Sequence, residues 1–137
     1  MQSLYTPGAP SLVLESVPAG FPSPAEGYPE DPLDVRELLV KNPAATFFVR
    51  AEGDSMQGAG IFSGDILVVD RSIEASFGVV IVAVLNNEFT VKRLTRGVDG
   101  TVATLMPENL AYPPIPISAD ADFVVWGVVT YVLHRPS

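Results

Sequence analysis

Seven of the thirteen prolines fall within residues 1–32, and this uneven distribution constrains the fold more than any other feature. Proline fixes φ near −65° and offers no backbone N–H, so a stretch carrying Pro7, Pro10, Pro18, Pro22, Pro24 and Pro29 favours extended structure over helix. Gly8, Gly20 and Gly27 reinforce that reading. The chain has 137 residues and is 47% apolar, enough to bury a core in one domain-sized body. Residues 1–40 therefore read as an extended N-terminal arm ending in a short helix, and residues 41–137 as the folded body.

Asp31-Pro32 predicts the start of that helix, as an N-cap followed by proline at the first helical position. Val35, Leu38 and Leu39 give it one apolar side, and Lys41-Asn42-Pro43 ends it. Beyond it the signals are β. Strands are expected over 46–51, 66–70, 79–85, 88–94, 101–105 and 123–133, where Val, Ile, Phe and Thr dominate. Asn86-Asn87 tolerates positive φ and suits a tight hairpin between the third and fourth of these. Residues 111–116 hold three prolines and belong in an irregular segment or at a sheet edge. The expected architecture is mainly β, mostly antiparallel, with one short helix and the arm.

Composition removes whole classes of chemistry. The net charge is −8, and the two lysines and six arginines are scattered, whereas a direct grip on DNA needs a basic face. Direct DNA binding is not expected; an acidic surface suits basic protein partners instead. Cysteine is absent, which leaves no thiol nucleophile, no Cys/His zinc site and no disulfide. No metal and no cofactor are expected. The single histidine, His134, reads as a surface residue at the end of the last strand. No stretch approaches the roughly 18–20 apolar residues of a membrane helix. Val17 and Ala19 satisfy a small-residue cleavage rule, but no Lys or Arg precedes them and Pro7, Pro10 and Glu15 interrupt any apolar core. A cytoplasmic protein is expected.

Two residues could carry chemistry. Ser55, in Gly53-Asp54-Ser55-Met56, follows an apolar strand at a turn, which presents its hydroxyl and frees its N–H to stabilise an oxyanion. By itself the tetrapeptide reads as an ordinary turn. Lys92 stands in a strand whose alternation places Thr90, Lys92 and Leu94 on one face, with Phe89, Val91 and Arg93 on the other. Neither face is cleanly polar. A desolvated lysine loses proton affinity and becomes a base near neutral pH. A lone strand lysine can also simply reach out to solvent. Without a usable histidine, a serine–lysine dyad is the main remaining way to activate Ser55.

The ordered set of segments is more specific than either residue. Ala45 through Met56, Gly60-Ile61, Gly64 through Asp70, Glu88 through Leu94, and Ala111-Tyr112-Pro113-Pro114-Ile115 together resemble the UmuD branch of the LexA/UmuD serine–lysine autopeptidase family. Gly20-Phe21-Pro22-Ser23-Pro24-Ala25 resembles the segment after the UmuD cleavage point, and the 37-residue separation of Ser55 from Lys92 is similar to the family's. The resemblance runs from about Val17 to His134.

That resemblance implies that Ser55 is the nucleophile, Lys92 the base, and the N–H groups of Ser55 and Asp54 the oxyanion donors. It implies self-cleavage between Ala19 and Gly20. It also implies a homodimer, stimulation by RecA filaments on single-stranded DNA in the SOS response, and partnership of the shortened form with a UmuC-like Y-family polymerase subunit in translesion synthesis. Only the arm precedes the body, so a helix-turn-helix repressor is disfavoured. Three departures stand out. Pro18 precedes Ala19, Val79 replaces an acidic residue that family members often carry, and Asn86-Asn87 replaces a more usual Asp-Gly turn. The competing readings are a trans-acting peptidase with the same dyad and a non-enzymatic interaction module of the same fold.

Overall fold

The computed structural model describes residues 11–13, 17–22, 30–32 and 34–137. Much of the proline-rich arm, including Pro7, Pro10, Pro24, Pro29 and the Ser23-Pro24-Ala25 part of the family resemblance, lies outside them. The chain divides into two units, Met1–Lys41 and Asn42–Ser137.

In the first unit, strands β1 (Ser11–Val13) and β2 (Glu30–Pro32) pair antiparallel, Ser11 opposite Pro32 and Val13 opposite Glu30. The helix α1 is five residues long, Val35–Leu39. This corrects the expected start: Asp31-Pro32 lies in β2, and Asp34 caps the helix by accepting the Arg36 N–H at 3.0 Å. Both aspartates have the chemistry of a cap, and the one next to the helical run supplies it. Lys41 Nζ donates to the Glu37 carbonyl at the other end, at 3.1 Å. Val35 and Leu38, from the apolar side of the helix, are exposed.

The second unit is one antiparallel sheet of seven strands: β3 (Thr46–Arg50), β4 (Ile66–Asp70), β5 (Val80–Leu85), β6 (Glu88–Arg96), β7 (Ala103–Met106), β8 (Ile115–Ile117) and β9 (Phe123–Leu133). Their order is β3-β4-β9-β5-β6-β7-β8. The mainly β, mostly antiparallel body expected from the sequence is what forms. Asn86 and Asn87 both adopt positive φ, 51° and 64°, and close the two-residue β5–β6 hairpin with Leu85 opposite Glu88. The proline-bearing β8 lies at the sheet edge, where a missing N–H costs no ladder bond. Of the two placements expected for residues 111–116, irregular or at a sheet edge, Ile115 and Pro116 take the second.

The sheet has apolar packing on both sides, so its central strand reads as a continuous apolar run. On β5, Ile81 and Ala83 join one buried cluster with Leu94, Leu105, Ile117 and Val128. Val82, between them, joins the other with Ala51, Met56, Ile61, Leu67 and Val69. The second cluster sits beneath the loop that follows β3, and its Met56 is only 3% exposed. That residue ties Ser55 to a fixed floor. The long strand β9 shifts register against β4 between Val68 and Val69, and against β5 between Val82 and Ala83. The second shift occurs at Trp126, a bulge position that turns a side chain out of the regular pleat.

Candidate active site

The serine loop is built on hydrogen bonds to its own base. Beyond β3, the Ala51 N–H donates to the Asp65 carbonyl and the Gly64 N–H donates back to Ala51, each at 2.8 Å. Gly53 then reverses the chain at φ +83°, a left-handed conformation that disfavours any residue with a Cβ. Its N–H donates to Ser63 Oγ at 3.3 Å. Ser55 follows, half-buried, its carbonyl held by the Glu108 N–H at 2.8 Å. Met56 enters the core, and a single 3-10 turn over Gln57–Ala59 continues the chain.

Lys92 arrives from β6, opposite Ile81 of β5. It is 8% exposed. Its Nζ lies 3.0 Å from Ser55 Oγ, 2.9 Å from Thr90 Oγ1 and 3.0 Å from the Val91 carbonyl. Thr90 and Lys92 thus share a side of the strand, as its alternation requires. Among the described residues Lys92 makes no ion pair with a carboxylate. Burial accordingly pushes its pKa below the ordinary lysine value. A neutral amine here can donate to Thr90 and Val91 while its lone pair accepts the Ser55 hydroxyl.

The N–H groups of Asp54 and Ser55 donate to no acceptor among the described residues. Beside them runs a groove of about 500 Å³, walled by Val49, Ala51, Met56, Phe89, Val91 and Trp126. Arg50, Glu52 and Thr90 also line it, and Ser55 and Lys92 enter it from the side of the dyad. Arg71 stacks on the Trp126 ring at 4.5 Å and donates to its carbonyl, fixing that wall.

A sequence model of the peptidase S24-like family matches residues 11–130, most of the chain. The chain belongs to this family. MucA of Salmonella typhimurium is 47% identical to it over 121 residues, covering 88% of this chain and 81% of that protein. SamA of Salmonella typhimurium is 44% identical over 124 residues, covering 90% and 84%. LexA repressor 1 of Xanthomonas campestris is 39% identical over 124 residues, which is 90% of this chain but 60% of the repressor. The UmuD-like resemblance read from the sequence stands, and the S24-like fold is that of a peptidase.

Within this S24-like body the structure brings Asp54, Ser55 and Lys92 together. Ala19 and Gly20 are exposed residues of the first unit. His134 sits just past β9, partly exposed, as expected, but it is not idle. Its Nδ1 lies 2.6 Å from Asp65 Oδ1 and its ring stacks on Phe62 at 5.0 Å. Burial works to raise the Asp65 pKa, but the Phe62 N–H and His134 outweigh it and hold the carboxyl below its usual range. His134 does not line the groove. Val79, at the departure from the family pattern, packs partly buried against the first core cluster. Among the described residues no group of three His, Cys, Asp or Glu could hold a metal, and no helix is long and apolar enough to cross a membrane.

Sequence reasoning missed Thr90 as a partner of the lysine, although the two-residue spacing carried the signal. It also missed Trp126 and Phe89 as groove walls, because a bulge cannot be read from alternation. Residues Glu108 and Asn109 gave no signal of any kind.

Proposed function

We propose that the chain is a self-cleaving serine peptidase that cuts itself between Ala19 and Gly20. The observation that supports this most is the 3.0 Å approach of a buried, uncompensated Lys92 amine to the Ser55 hydroxyl. Ser55 Oγ attacks the Ala19 carbonyl carbon while Lys92 Nζ takes its proton. The N–H groups of Ser55 and Asp54 receive the developing oxyanion. Lys92 returns the proton to the Gly20 nitrogen as the peptide bond breaks, and water then hydrolyses the Ala19 ester, releasing Ser55. Ala19 suits a shallow pocket, Gly20 lets the chain bend beside the nucleophile, and prolines on both sides reduce the entropy lost when an extended arm docks.

The likeness to MucA, SamA and LexA repressor 1 supports a place in SOS mutagenesis. In this reading the protein is a cytoplasmic homodimer whose cleavage is stimulated by the RecA–single-stranded DNA filament. The shortened form, residues 20–137, then joins a UmuC-like Y-family polymerase subunit in translesion synthesis. DNA is contacted through these partners and not by the acidic chain itself.

The test is mass spectrometry after incubation of the purified protein at alkaline pH. A fragment beginning at Gly20 is expected, and Ser55→Ala and Lys92→Ala remain intact while folded. Equal cleavage in either variant removes the dyad. A full-length wild type that persists with RecA filament and nucleotide leaves the non-enzymatic module, and efficient cutting of a Ser55→Ala chain by added wild type favours the trans-acting reading.

A further inference from the structure

The dyad reading, on which this inference rests, leaves one side-chain cluster unused. The loop between β7 and β8 closes over the serine loop through several bonds. The Glu108 N–H donates to the Ser55 carbonyl at 2.8 Å, and the Gly58 N–H donates to the Glu108 carbonyl at 2.8 Å. Asn109 Nδ2 donates to the Asp54 carbonyl at 2.9 Å, and the Tyr112 hydroxyl donates to the Asp54 carboxylate. Asn109 Oδ1 meanwhile accepts the Ala111 N–H at 2.9 Å, so both ends of its amide are assigned. Arg93, next to Lys92 on β6, ties the loop down through Glu108 at 2.6 Å and through the Gly78 carbonyl at 2.6 Å.

The Asp54 carbonyl also accepts the Gln57 N–H, but at 3.3 Å, so the Asn109 bond is the shorter of its two and has a particular consequence. In a trans peptide the C=O of one residue and the N–H of the next point in opposite directions. Whatever holds the Asp54 carbonyl therefore aims the Ser55 N–H, and hydrogen bonding to that oxygen also polarises the N–H as a donor. We propose that Asn109 is a positioning residue for the oxyanion donor, its side-chain amide fixing the Asp54–Ser55 peptide so that the Ser55 N–H faces the tetrahedral oxygen. Glu108 and Tyr112 brace the same peptide from its two flanks. Loss of a whole oxyanion donor costs about 10²–10³ in rate, so a misaimed one should cost roughly 10- to 100-fold.

The test measures arm cleavage against pH for wild type, Asn109→Asp and Asn109→Ala, with circular dichroism to check folding. Asn109→Asp is nearly isosteric and keeps the acceptor for the Ala111 N–H while losing the donor. Both variants should lower the plateau rate about 10- to 100-fold. In Asn109→Ala the midpoint of the profile should not move, since Lys92 and Ser55 remain in place. A fluorophosphonate probe supplies a readout that needs no arm: Ser55 Oγ bonds to phosphorus, the P–F bond breaks, fluoride leaves, and Lys92 takes the serine proton. Labelling should slow by the same factor. Rates within about twofold of wild type in both assays overturn the proposal. So does a plateau loss accompanied by a midpoint moved to that of free lysine, because the loop would then merely hold Ser55 against Lys92. If wild type neither cuts nor labels, or Ser55→Ala cuts equally well, the peptidase reading itself fails and the inference falls with it. Should Asn109→Ala not fold, the near-isosteric Asn109→Asp decides.

Discussion

Lys92 stands out for what it lacks. A strand lysine normally keeps its ammonium in water, and here the amine finds a hydroxyl, a second hydroxyl and a carbonyl instead, with no carboxylate partner among the described residues. Burial lowers its pKa, so between the folded value and the ordinary lysine value near ~10.4 the unfolded chain binds more protons than the folded one. Stability from this group therefore rises with pH across that window and is lost as pH falls through the folded value. Cleavage should rise as pH passes through the folded value, where Lys92 loses its proton, and reach its plateau above it. Thr90 modulates it: as an acceptor from the ammonium it favours the charged form. Thr90→Val should shift the midpoint of the cleavage–pH profile downward, by up to about one unit, the worth of one hydrogen bond. A midpoint that stays or rises would show that the Thr90 contact does not bear on the proton. Ser55 and Lys92 were only candidates by residue type and the lack of alternatives; the ordered segments of the family resemblance singled them out. Thr90 was legible in position but not in role, since alternation assigns a face and not a bond.

At the scale of elements, legibility follows how much a local pattern decides by itself. The limits of β4 and β9 match expectation because long apolar runs admit few alternatives, and Asn86-Asn87 turns the chain where its tolerance of positive φ predicts. The start of α1 was misread because Asp31 and Asp34 offer the same capping chemistry three residues apart, and only the pairing of Glu30–Pro32 with Ser11–Val13 separates them. That pairing joins residues far apart in sequence, which no local window contains. The same limit hid the closure of residues 108–112 over the serine loop. Gly58 measures how tight that closure is: a Cβ there would lie 2.6 Å from the Glu108 carbonyl oxygen, with backbone on both sides. Gly58→Ala should destabilise the body by about 1–3 kcal/mol, as overpacking does, and slow cleavage more than its loss of stability explains. A thermal melt and a cleavage rate on the same sample check both. Unchanged values in the two would mean the loops are not in firm contact.

For the molecule as a whole, the unequal sharing of proline marked out the arm, and the β signals marked out the body. Among the described residues, the buried members of both clusters lie between Ala51 and Val128. At this scale the fold buries one amine: Lys92 of β6, opposite β5 and beside the serine loop, is 8% exposed, and burial lowers its pKa. Composition makes this directly measurable, because the chain has two lysines only, Lys41 and Lys92. NMR of lysine-labelled protein against pH, with the Lys92 signal assigned by its loss in Lys92→Ala, should show that amine titrating below the ordinary lysine value near ~10.4. A Lys92 signal that titrates at or above that value would contradict the account.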